Sequence, residues 1–250
     1  MLNPRARQSF EQDGYLVLRA LFDDTEVARM SAWLDAIALQ PPVRGGAMLY
    51  FEDAGNGSGE RILSRIEKFA DPGQPFARLL ADHALHQVVE VLLGDAAVLF
   101  KEKVNLKLPG GGGFEPHQDI QAGWDGYAPY FLSVAVAIDD SDAANGCLEI
   151  APGQHRQGWL GERWKPLTAR QTDAMRFESV PLAPGDAVAF DCFLPHRSAP
   201  NGSGRPRRNL YLTYNRARDG DHRERYFADK RRDFPPDNER EPGKTYVYRV

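Results

Sequence analysis

The segment Pro116-His117-Gln118-Asp119, taken with the distant His196, constrains this chain more than any other feature. In an extended strand, residues i and i+2 face the same side. His117 and Asp119 then aim an imidazole and a carboxylate at one point. His196 can join them only if the chain returns on a neighbouring strand. Two histidines and one carboxylate form the facial set that holds non-haem Fe(II) and leaves the opposite face open for a co-substrate and O2.

The rest of the sequence predicts a sheet able to do this. Val98 to Leu108 alternates apolar and polar residues over its second half, the signature of a half-buried strand. Phe131-Leu132-Ser133-Val134-Ala135-Val136-Ala137-Ile138 reads as a buried strand, and Leu148-Glu149-Ile150, Ala187-Val188-Ala189-Phe190 and Leu210-Tyr211-Leu212-Thr213-Tyr214 supply three more. Short strands separated by Gly/Pro turns point to a mainly β fold with flanking helices from the N-terminal third, its core a jelly roll (the cupin-like double-stranded β-helix) or a sandwich. Before it, Gly14 to Leu18 reads as a short strand, and Asp23-Asp24-Thr25-Glu26 caps a helix that Pro41-Pro42 stops. Val43 to Gly59, rich in glycine, predicts a lid loop, and His83 to Leu93 another helix. The expected organisation is one domain over 1–250: a helical support with the lid over about 1–95, the jelly roll over about 96–217 and an irregular charged segment over about 218–250.

Eleven residues beyond His196, Arg207 opens a strand after the turn Asn201-Gly202-Ser203-Gly204. If the two strands pair, its guanidinium returns toward the metal and can grip a carboxylate in bidentate fashion. 2-Oxoglutarate has the matching shape, with a 2-oxo acid for iron and a far carboxylate for arginine. Ser198 adds a hydroxyl donor.

His117, Asp119, His196, Ser198, Asn201 and Arg207 together resemble the pattern of the phytanoyl-CoA dioxygenase superfamily of Fe(II)/2-oxoglutarate oxygenases. The resemblance runs from about Phe100 to Asn215 and includes Asn145-Gly146-Cys147-Leu148-Glu149-Ile150-Ala151-Pro152-Gly153-Gln154-His155 and the turn Pro184-Gly185-Asp186. It implies Fe(II), 2-oxoglutarate and O2 as partners in the chemistry. It also implies a role for Lys103 and Asn105 in the 2-oxoglutarate pocket and for Trp124 against substrate. Arg65-Ile66-Glu67-Lys68-Phe69 and the tail from Tyr226 to Tyr246 are similar to the bacterial small-molecule branch, ectoine hydroxylase-like and aminoalkylphosphonate hydroxylase-like. An organophosphonate such as a 2-aminoethylphosphonate-type compound then becomes one expected substrate. Halogenating relatives replace the metal-binding carboxylate by a small residue; Asp119 is present, which favours hydroxylation or another oxidation (desaturation, cyclisation, demethylation) over halogenation.

Two other classes share the architecture: a cupin-like enzyme with a non-redox metal, such as an isomerase, and a non-catalytic jelly-roll binder of small molecules. Lys103 and Asn105 lie on one strand face with Lys101 and Lys107, so a solvated face is their competing reading, and packing is that of Trp124. His83 and His86 read as helix surface. Net charge of −4 with both signs dispersed disfavours nucleic acid, and no apolar run is long enough to span a bilayer. With two cysteines and no signal-peptide pattern, a cytoplasmic small-molecule enzyme is expected. Oligomeric state is not encoded in any legible pattern.

Overall fold

A computed structural model describes residues 2–246 except 56 and 58. Its strands are β1 (Tyr15–Leu18), β2 (Met48–Asp53), β3 (Arg61–Glu67), β4 (Ala97–Lys107), β5 (Phe114–His117), β6 (Leu132–Ala137), β7 (Leu148–Ile150), β8 (Glu178–Val180), β9 (Ala187–Asp191), β10 (His196–Ser198) and β11 (Arg207–Arg216). They form a seven-stranded sheet, β1-β9-β6-β11-β4-β3-β2, and a four-stranded sheet, β5-β10-β7-β8, with antiparallel pairing throughout. The helices are α1 (Pro4–Asp13), α2 (Asp24–Leu39), α3 (Pro75–Asp82), α4 (Ala84–Leu93), α5 (Ala169–Thr172) and α6 (Arg223–Asp233). Among the described residues no helix is long and apolar enough to cross a membrane.

Period-two alternation assigns each face of the large sheet. Val104, Leu106, Leu210, Leu212, Val134 and Val136 point outward into a core shared with Met30 and Leu34 of α2 and Leu85, Val89 and Leu93 of α4. Each buried aliphatic side chain there contributes roughly 1.5–3 kcal/mol. The alternate residues face the small sheet: Lys103, Asn105 and Lys107 on β4 stand in register with Tyr211, Asn209 and Arg207 on β11. This inner face carries the polar residues that position the site.

The helix ends follow the sequence. Asn3 accepts from the backbone N–H of Ala6 at the start of α1. Asp23 and Glu26 form a reciprocal capping box on α2, which ends before Pro41.

Three expectations are corrected. The stretch 43–59 is not wholly a loop: Met48 to Asp53 pair with β3, and the buried Tyr50 hydroxyl donates to the carbonyl oxygen of Phe234 at 3.0 Å. Asn56 and Ser58, in the same stretch, lie outside the described residues. The charged C-terminal run is not irregular either. α6 is docked by Arg223, whose guanidinium grips both carboxylate oxygens of Glu102 and, at 3.0 Å, Asp71. Glu102 also accepts from the backbone N–H groups of Phe69 and Ala70, so this buried charge is fully partnered. Finally, His83 is not helix surface. It caps α4 by accepting from the N–H of Leu85 and stacks on Phe22 with ring centroids 3.9 Å apart.

Candidate metal centre and co-substrate pocket

β10 lies beside β5 with His196 opposite His117, which brings the two rings to 4.2 Å between centroids. Asp119 does not share their strand. β5 ends at His117, and Asp119 opens a 3-10 turn (Asp119–Ala122). The turn forms because the buried Gln121 side chain reaches back, its Oε1 accepting from the N–H of Gln118 at 2.7 Å. The carboxylate is thus swung toward the histidines by a turn rather than by strand alternation. Its Oδ1 lies 3.8 Å from His196 Nε2, and one donor atom from each of the three residues falls within 4.8 Å of the others.

The surroundings prepare these atoms for a cation. Nδ1 of His117 lies 2.7 Å from the carbonyl oxygen of Glu115, and Nδ1 of His196 lies 3.0 Å from that of Leu194. A carbonyl only accepts, so Nδ1 carries the proton in each ring and Nε2 keeps its lone pair. Burial, reinforced by His196, pulls the His117 pKa down to about 3; burial lowers that of His196 as well. Both rings are neutral. Burial pushes the Asp119 carboxyl up, but His196, Lys103, His117 and the hydrogen bond from Ser133 outweigh it and hold the group below its ordinary range. Ser133 Oγ donates to Asp119 Oδ2 at 2.6 Å, leaving Oδ1 toward His196. Two neutral imidazoles and a carboxylate suit Fe(II).

Arg207 is completely buried (0 % exposed). Its Nη1 donates to the carbonyl oxygen of Gly146 at 2.8 Å, while Nε and Nη2 have no partner. Buried guanidinium N–H groups left unsatisfied are costly, and a carboxylate is the group that satisfies two of them together. Lys107, its register partner, donates to Ser198 Oγ at 2.7 Å and to the carbonyl oxygens of Gly146 and Ala199. Burial, with Arg207 alongside, depresses its pKa to about 7. Gly146 has φ +71°, and a Cβ there would collide with the Ala199 carbonyl; only glycine lets this turn present its carbonyl to both cations. Asn201 shapes the adjoining turn, donating from Nδ2 to the carbonyls of Lys107 and Arg205.

The fold therefore gathers Arg207, Ser198, Lys103 and Asn105 on or against the inner face. Lys103 Nζ lies 5.1 Å from the centre of the Tyr211 ring, and Asn105 Oδ1 is buried without a partner. The solvated-face reading of this row is wrong: Lys101, Asn105 and Lys107 are buried. Trp124 sits in an aromatic cluster with Phe100 and Phe131, 2 % exposed, with Lys101 Nζ 4.4 Å above its ring and its indole N–H unpartnered. The sequence reading did not single out Lys107, which bonds Ser198 beside Arg207, or Ser133, which bonds Asp119. The signal was present in the period-two spacing of Lys101, Lys103, Asn105 and Lys107, once that face is recognised as interior.

The family model for phytanoyl-CoA dioxygenase (PhyH) matches residues 10–209. The chain is 34 % identical over 241 residues to 2-aminoethylphosphonate dioxygenase of an uncultured bacterium, covering 96 % of this chain and 92 % of that protein. It is also 34 % identical over 226 residues to methylphosphonate hydroxylase of Gimesia maris, covering 90 % and 85 %. Among solved structures, EctD from S. alaskensis with 2-oxoglutarate and 5-hydroxyectoine superposes with a TM-score of 0.74 at 26 % identity, over 87 % of this chain and 77 % of that one. A matched model spanning most of the chain, relatives aligned nearly end to end and a preformed His-Asp-His centre place this protein in the phytanoyl-CoA dioxygenase family, as an Fe(II)/2-oxoglutarate-dependent dioxygenase.

Proposed function

We propose that this enzyme hydroxylates an unactivated C–H bond of a small organophosphonate, with release of succinate and CO2. The observation that carries the reading is the charge of the inner face beside the metal centre. Arg65, Lys101 and Lys230 act there on one carboxylate, Glu67, and Lys103 stands beside it in register on β4. Four cationic side chains grouped around a single carboxylate attract an anionic ligand, and a phosphonate is one. The two 34 %-identical relatives, both named for phosphonates, support the same class.

In this reading His117, Asp119 and His196 bind Fe(II), which with 2-oxoglutarate and O2 supplies the oxidising chemistry. Arg207 binds the far carboxylate of 2-oxoglutarate, with Ser198 and Lys107 as further donors. Asn105 lines the path toward the metal. Lys103 attracts the anionic group of the substrate, and Trp124 forms part of the substrate wall by backing Lys101. The enzyme works on a free small molecule in the cytoplasm, apart from nucleic acid and membrane, and residues 1–250 act as one domain.

The test is succinate formation by the Fe(II)-loaded protein in air with 2-aminoethylphosphonate, alkylphosphonates, ectoine and amino acids, with 31P NMR following any phosphonate product. Phosphonate-dependent succinate with a matching new 31P signal is expected. Succinate coupled only to a substrate without phosphorus would overturn the reading.

A further inference from the structure

Glu67 is the one member of the inner-face cluster whose bonding is incomplete on a charged oxygen. It is fully buried (0 % exposed) on β3, directly beside Lys103 of β4. Oε1 accepts from Lys230 Nζ at 3.0 Å and lies 3.4 Å from Arg65 Nη1. Oε2 is buried and has no partner. Lys230, Arg65 and Lys101 hold the group down to about 2 against the opposing effect of burial, so it is a carboxylate at every working pH. An ionised oxygen out of water without a donor is an expensive arrangement. Donors are abundant nearby, yet both polar contacts fall on Oε1.

The cluster is continuous with the metal centre. The Lys103 ammonium acts on His117, Asp119 and His196, and that of Lys101 feels both Asp119 and Glu67. The inner face thus offers cations close to the metal ligands and, one strand away, an anionic oxygen awaiting a donor. Neighbouring strands lie about 4.8 Å apart. A two-carbon chain joining an anion to a cation spans a distance of that order.

We infer that Glu67 reads an ammonium group on the substrate, so that the site is built for a 2-aminoalkylphosphonate and discriminates against plain alkylphosphonates. The phosphonate sits on the Lys103 side and the ammonium donates to Glu67 Oε2. This rests on the phosphonate reading above and sharpens it. The two relatives of equal identity divide on this point, since one is named for an aminoalkylphosphonate and the other for methylphosphonate.

The test needs no variant at first. Calorimetry on the anaerobic Fe(II)/2-oxoglutarate complex compares 2-aminoethylphosphonate with propylphosphonate, in which a methyl replaces the ammonium. The amine should bind at least about tenfold more tightly, the yield of one charge-assisted hydrogen bond in a dry site. Glu67→Gln should collapse that ratio toward one. Glu67→Asp keeps the charge with the carboxylate drawn back one carbon, and should lower the ratio less. A thermal melt and the visible band of the Fe(II)/2-oxoglutarate complex establish that each variant is folded and loaded. Equal wild-type affinities, or a ratio unmoved in a folded Glu67→Gln protein, would overturn the inference while leaving phosphonate oxidation standing. Binding of neither compound would overturn the phosphonate reading and this assignment with it.

Discussion

Lys107 and Arg207 face each other in register across β4 and β11, both buried, both donating to the carbonyl oxygen of Gly146. Every hydrogen-bond partner of the pair is a neutral oxygen. Burial, then Arg207, brings the Lys107 pKa down from 10.5 to about 7. Below about pH 7 the lysine is protonated both folded and unfolded, and the full penalty of the buried charge is felt. Between 7 and 10.5 only the unfolded chain holds the proton, so stability of the unliganded protein rises with pH across that window. A dicarboxylate bound between the two cations restores the proton. At about pH 8, calorimetry in buffers of different ionisation enthalpy should therefore register proton uptake on 2-oxoglutarate binding, absent in Lys107→Met.

Removal of Arg207 takes away the two unpartnered donors without touching the metal ligands. Arg207→Met should raise the KM for 2-oxoglutarate by about 10–150-fold, the range for one to two charge-assisted hydrogen bonds. Fe(II) affinity, measured against a competing chelator, should change little. A parallel loss of iron would show that the arginine orders the centre rather than the co-substrate.

Ser133 bonds the Asp119 oxygen that faces away from His196. Groups that orient a metal ligand in this way contribute about 10–100-fold to metal affinity. Ser133→Ala should weaken Fe(II) binding within that range and leave the 2-oxoglutarate KM of the loaded enzyme nearly unchanged. An unaltered iron dissociation constant would contradict an orienting role.

Gln118, between the two ligands of the HxD segment, is buried and turned away from the metal. Its Nε2 donates to the carbonyls of Gly158 and Phe193, and its Oε1 accepts from the N–H of Leu160. Gln118→Leu fills similar space but strands three part-buried backbone groups. It should cost about 2–4 kcal/mol in urea unfolding, with protease sensitivity rising first around residues 158–168.

The residues legible in the sequence were those whose chemistry is rare and whose spacing is set by a strand pair. His117 and His196 meet across β5 and β10, but the expected pairing of the His196 and Arg207 strands is not what forms: β10 and β11 lie in different sheets, and Arg207 reaches the inner face from the large sheet, in register with Lys107 of β4. What misled was the assumption that water lies on one side of a polar strand. β4 is apolar on the helix side and cationic on the other, a pattern identical to a solvated edge; only its pairing with β11 and the covering small sheet make that face interior. β2 was hidden by the glycines that flank Met48 to Asp53, and α6 by a low apolar content that buried ion pairs, especially Arg223 with Glu102, replace. Asp119 lay in the right place for a reason alternation does not supply, a glutamine-closed turn.

The same glutamines have a consequence for how such an enzyme can change. Gln118 and Gln121 hold residues 158–165 through hydrogen bonds that all end on main-chain atoms: the carbonyls of Gly158, Glu162 and Lys165 and the N–H of Leu160. The anchorage is therefore indifferent to most side chains of the segment it anchors. Apart from Gly161, where a Cβ would strike Gln121, and Trp164, whose ring fills the space over Gly123, the segment can accept new side chains while its attachment to the iron-bearing turn survives. That separation lets the side chains of this segment change over generations without each step risking the metal ligands.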